Sequence, residues 1–162
     1  MQLIGAAPPS KTTSIVLQTR AGGSVGNLQH HALSGFERLG LDATLQQYPF
    51  VTVRVRCSPV YNCHGLTFAA RRTGIHEGAE LRRILNDDGY ARVADMAVLG
   101  GDVVLYVDDD GDIEHSGIVV ERGTSPLFHK VCSKWGKGPE VVHTVAGSPY
   151  TTKHLEFHRV AC

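Results

Sequence analysis

Apolar and polar residues change their period twice along this chain, and those changes sort it into helices followed by strands. From Asn27 to Leu39, the apolar positions Leu28, Ala32, Phe36 and Leu39 fall at helical spacing, which predicts a short amphipathic helix with His30 and His31 on its surface. Gly35 and Gly40 predict that it stops early. The run FVTVRVRC then alternates with period two, so Val51, Val53 and Val55 share one face of a half-buried strand that ends before Pro59. Helical character returns over Cys63 to Arg72 and over Glu77 to Asn86, where Ala79, Leu81, Ile84 and Leu85 form the inward side. Beyond Gly101 the pattern is all strand. GDVVLYVD, IEHSGIVVE, LFHKVCSK, EVVHTVA and HLEFHRV are separated by turn chemistry, and Asp110-Gly111 is a hairpin signal because a tight turn there needs positive φ. Helices first and an antiparallel meander afterwards describe an α+β domain with its helices packed on one face of the sheet. Residues 1–23, rich in Gly, Ser, Thr and Pro, read as a poorly ordered lead-in, and 24–162 as the domain.

Composition narrows the class. The 162 residues hold one core, and 42% hydrophobic with 20% charged residues is the balance of a globular protein. The formal net charge of zero gives no support to nucleic-acid binding. No apolar run approaches the roughly 18 to 20 residues of a membrane span. The beginning, MQLIGAAPPSKTTS, lacks the pattern of a secretory signal, so synthesis in the cytoplasm and delivery by a specialised route are the expectation.

Four cysteines, at 57, 63, 132 and 162, are too few for a disulfide framework in a chain this long. Zinc spacing is absent except for His154 and His158, which alternate with apolar residues as one face of a strand. The acidic run DDDGDIE lacks the Glu that would close a calcium loop. No metal and no cofactor are expected.

The tetrad Asn62-Cys63-His64-Gly65 is where candidate chemistry concentrates. A cysteine in such a place is a buried filler, a metal ligand or a nucleophile. A thiol at the start of a helix meets unpaired N–H groups that favour thiolate and can hold an oxyanion. A base must come from elsewhere, and His115, opening a strand beside Gly117, is the best placed.

Three segments in this order resemble the NlpC/P60 superfamily of papain-like cysteine peptidases and amidases. Tyr61-Asn62-Cys63-His64-Gly65 is similar to its Tyr/Phe-Asp-Cys-Ser-Gly motif, LGGDVVLYV at 99–107 to its Gly-Gly-Asp strand, and His115-Ser116-Gly117-Ile118 to its His-Val-Gly-Ile strand. Asn62 for Asp and His64 for Ser mark a divergent branch. The resemblance implies a papain-like fold, Cys63 as nucleophile, His115 as base, and a third polar residue on the next strand that orients the base. His129 has the implied spacing, with Ser133 and His143 as rivals. The same resemblance implies that Tyr61 reaches toward substrate. Trp135 either walls the groove or plugs the sheet edge. His64 carries no expected role, and Asp102 is expected to accept backbone hydrogen bonds where its strand begins. The implied substrate is the peptide stem of bacterial peptidoglycan, and the implied setting an effector or toxin with an immunity protein as partner. A deamidase or acyltransferase acting on a protein or lipid, and an inactive binding module, are the alternatives.

Overall fold

The computed structural model describes residues 11–161. Its elements in chain order are β1 (Thr12–Thr13), β2 (Gln29–His30), α1 (Gly35–Gln46), β3 (Thr52–Val55), α2 (Cys63–Phe68), α3 (Gly78–Asp87), β4 (Tyr90–Val93), β5 (Val103–Val107), β6 (Ile113–Glu121), β7 (Lys130–Lys134), β8 (Glu140–Thr144) and β9 (His154–Val160). Seven strands form one antiparallel sheet in the order β3-β8-β7-β6-β5-β9-β4, so the fold is α+β. Four consecutive strands, β5 to β8, make the expected meander, and β9 returns to pair with the other side of β5.

The sheet has two covered faces, and the alternation of β5 and β6 assigns residues to each. Val103, Leu105, Val107 and Ile113 meet Leu81, Ile84 and Leu85 of α3 and Ala69 and Ile75 beside α2. Val104, Tyr106 and Val119 turn the other way, into a core with Val98, Val131, Val145 and Phe157. No described helix is long and apolar enough to cross a membrane.

Several expectations need correction. Residues 11–23 of the supposed lead-in reach the core through Leu17, which packs with Val25 and α3 (residues 1–10 lie outside the described residues). The first helix begins at Gly35, eight residues later than its apolar spacing suggests, because Ser34 and Glu37 form a reciprocal capping box there, and it runs on through Gly40. His30 accordingly sits in β2. None of the residues of α1 is buried, so α2 and α3 alone supply the helical layer. The β3 strand is an exposed edge and not half-buried, with Val53 46% and Val55 41% accessible. The strand β4 at the opposite edge was not anticipated.

Candidate functional site

Asn62 clamps the start of α2. Asn62 accepts from the N–H of Gly65 at 2.9 Å and of Ile75 at 3.1 Å, and donates to the Ile75 carbonyl at 2.7 Å. It thus caps the helix and ties its start to the segment leading into α3. Gly65 is required one turn in, since a Cβ there would overlap the Thr73 carbonyl oxygen. The helix ends after Phe68, where Ala70 and Arg71 adopt positive φ of 48° and 65°. That conformation is costly for residues with a Cβ. It is offset by a bidentate ion pair, both contacts 2.8 Å, between Arg71 and the buried Glu140 at the start of β8.

Cys63 is the first residue of α2 and is buried. Burial pushes its thiol up to about 11, against the N–H groups of Ser116, His64 and Cys63 itself, which favour thiolate. The expected low-pKa thiolate is therefore not the ground state. A helix of six residues has a weak dipole, and Asn62 already takes one of its free N–H groups, so desolvation prevails.

Cys63 opens onto a cleft of about 310 Å³ that Asn62, His64, His76, Ile113, Glu114, Gly136, Lys137 and Tyr150 complete. A larger cavity, about 600 Å³, beside Asp108, Asp109 and His154 shares no lining residue with it and is lined by no cysteine among the described residues. His64, expected to be idle, is buried with Nδ1 2.8 Å from Ser116 Oγ, which in turn donates to Thr67 at 3.0 Å. This chain locks α2 to β6. Burial holds His64 neutral down to about 4.

His115 occupies the position before Ser116. The alternation that turns Ser116 toward α2 turns His115 to the other face, opposite Tyr106 in register. Its ring is fully buried, and neither nitrogen has a hydrogen-bond partner among the described residues. Tyr150, from the loop between β8 and β9, stacks on it with centroids 3.6 Å apart and planes 7° apart, and Tyr106 meets it edge-on at 5.1 Å. Burial, then the nearby His143 and His64, hold the imidazole well below its ordinary range. Tyr150 connects the two candidate catalytic residues, because it also lines the Cys63 cleft.

The structure does not bring His129 to this place. Gly117 pairs with Ser133 and Glu121 with Lys130, so continuing the register sets Trp135 level with His115. His129 lies six residues further along, roughly 20 Å at strand rise. There its Nδ1 accepts from the Gly123 N–H at 2.9 Å and its ring abuts Phe157. The two rivals are brought together instead. Ser133 Oγ lies 2.7 Å from His143 Nε2, on the face that carries His115.

Tyr61 and Trp135 also lie away from the cleft. The Tyr61 hydroxyl donates to Glu140 at 3.3 Å, and its ring is covered by the Lys134 ammonium at 4.9 Å. Trp135 is buried between Tyr48 and His143. Asp102 accepts from the Leu99 N–H at 2.8 Å as expected, and also pairs with Arg159.

Sequence reasoning missed Tyr150, Glu114 and Lys134. The last is a buried lysine whose Nζ donates to the carbonyls of Gly136 and Gly138, at 2.8 and 2.7 Å, and whose ammonium burial lowers to about 8. Its charge favours thiolate at Cys63.

No family model matches the chain, and no curated protein or solved structure matches it.

Proposed function

We propose that the chain is a cysteine hydrolase of papain-like design, similar to the NlpC/P60 enzymes, that cleaves an amide bond through a thioester. The observation that carries this reading is the position of Cys63. It stands first in a helix clamped by Asn62, at the floor of a cleft whose wall, Tyr150, stacks on the imidazole of His115. In the reaction the sulfur adds to the substrate carbonyl while its proton passes to His115. The oxyanion is held by N–H groups at the start of α2. Collapse breaks the C–N bond, His115 returns the proton to the departing amine, and water then hydrolyses the thioester by the same base. In the described structure both groups are neutral and are not paired with each other. Because His115 is turned to the face opposite α2, the dyad requires, besides displacement of Tyr150, a swing of the imidazole round the start of β6 toward the thiol.

Peptidoglycan stem peptides are the leading substrate, and the experiment is digestion of purified peptidoglycan followed by mass spectrometry of the fragments. Wild type should release new amines, and Cys63→Ala none. A binding module is the second reading, and the observation favouring it is the closed ground state, in which burial disfavours both charged forms. Unchanged peptidoglycan with wild type, together with retained affinity for it, decides for that reading.

A further inference from the structure

The register of β5 against β6 contains one irregularity. Tyr106 faces His115, yet Val107 faces Ile113, so Glu114 is an extra residue without a partner on β5. Such a bulge re-aims side chains and is common beside active sites. Here it turns Ile113 into the core against α3 and leaves Glu114 exposed at the mouth of the Cys63 cleft. Without it the alternation of the strand would carry residue 114 to the face opposite His115 and residue 113 to the same face as His115.

The charges around this cleft are few. Lys137, on the wall formed by the β7–β8 turn, is paired with Glu37 of α1 at 2.6 Å. Lys134 is buried behind the thiol and bound to two carbonyls. His76 and His64 line the helix side. Glu114 alone is a carboxylate lining the cleft, and it has neither an ion pair nor a side-chain hydrogen bond among the described residues. Its charge is felt by the Tyr150 phenol, which it helps to push up.

We propose that Glu114 makes the Cys63 cleft selective for a substrate carrying a positive group, an ammonium or guanidinium, beside the amide that is cleaved. The inference rests on Cys63 being the reactive residue of the proposed hydrolase and names the class of substrate it takes. The ammonium would sit over the β6 bulge, between Glu114 and Tyr150, with the scissile carbonyl over the sulfur. The paired Lys137 on the opposite wall leaves a carboxylate less well matched there.

The test reads the field at the sulfur without needing the natural substrate. Methanethiosulfonates transfer an alkylthio group to a cysteine thiolate and release methanesulfinate, forming a disulfide. Reagents bearing trimethylammonium, sulfonate or no charge are compared at about pH 8, above the usual imidazole range. Modification is followed at the Cys63 peptide by mass spectrometry, because Cys57 and Cys132 are also free thiols. In wild type the cationic-to-anionic rate ratio, divided by the same ratio for free cysteine (whose thiolate already favours the cation), should be about fivefold or more, the size expected for a unit charge acting over a partly solvated cleft. Glu114→Gln should reduce that ratio several-fold and Glu114→Lys should invert it, with the neutral reagent changed by less than about twofold. A ratio unaltered in both variants overturns the proposal. So does an equal loss with all three reagents, which reads a reshaped cleft and not a charge. Residual amide cleavage by Cys63→Ala would overturn the hydrolase reading while leaving the ratio standing, so the two failures are distinguishable.

Discussion

At Cys63 two influences oppose each other, and their balance sets the resting chemistry. The Ser116, His64 and Cys63 N–H groups and the Lys134 ammonium favour thiolate, yet complete burial places the thiol at about 11. Alkylation of Cys63 by iodoacetamide should therefore run about a hundredfold slower near neutrality than that of an ordinary cysteine, and rise toward alkaline pH. A rate at neutrality equal to or above that of free cysteine would contradict this balance. Tyr150 is the residue whose removal should shift it, since it covers His115 and walls the same cleft. Tyr150→Ala should accelerate alkylation about tenfold by admitting water. Tyr150→Phe, which keeps the stack, should not. Part of this arrangement was legible from sequence. Cys63 and His115 were singled out as candidates by short motifs, because a motif is local. Tyr150 is thirty-five residues beyond the histidine it covers, in a loop with no periodicity to place it.

Elements fix that geometry through a few polar clamps. Asn62 makes three hydrogen bonds at the start of α2, and Asn62→Ala should cost about 2 kcal/mol or more, combining cap and tether. Urea denaturation measures it, and a loss under about half a kcal/mol would show that the cap is dispensable. At the far end of α2, Arg71→Ala would leave the buried Glu140 with only the Tyr61 hydroxyl and the Cys132 thiol as donors, a loss of about 1 to 3 kcal/mol because Arg71 itself is half exposed. An Arg71→Ala/Glu140→Gln double variant should be less destabilised than Arg71→Ala alone. The misread elements have physical causes at this scale. The spacing Leu28, Ala32, Phe36, Leu39 imitates a helix, while the capping box three residues apart at Ser34 and Glu37 sets the true start. The alternation in FVTVRVRC is real, but an edge strand with no element beyond it leaves its valines exposed. The placing of His129 beside His115 depended on the register of β6 against β7, and chain spacing across a loop of eight residues, 122–129, does not determine register.

Across the whole molecule, burial of neutral titratable groups makes stability depend on pH in both directions. His64 and His143 stay neutral down to about 4, and His115 is also lowered by burial. In the unfolded chain these imidazoles bind protons from 6.5 downward, so the stability they contribute is present above that pH and is lost as pH falls toward 4. The slope is up to about 1.4 kcal/mol per pH unit for each histidine. Cys63 and Cys132 act in the opposite sense. They remain protonated to about 11 when folded but ionise from 9 when unfolded, so stability falls as pH rises between those values. Urea midpoints should hence fall below about pH 6.5, while above about pH 8 the loss from the two cysteines is opposed by Lys134, whose ammonium is lowered to about 8 by burial and so binds fewer protons folded than unfolded. A midpoint unchanged at pH 5 would mean that these histidines are hydrated. The helices α2 and α3 ahead of the β5–β8 meander were legible because period and turn chemistry are local. The return of β9 to β5 and the edge position of β3 are properties of the closed sheet. The central claim is that Cys63 carries the acyl group. Wild type mixed with soluble peptidoglycan fragments, quenched in acid at successive times and analysed by peptide mass mapping, tests it most directly. The account predicts a transient adduct of the acyl portion on the peptide containing Cys63, labile to hydroxylamine and absent in Cys63→Ala. New amines released while that peptide stays unmodified at every time, with Cys63→Ala turning over at the wild-type rate, would contradict it.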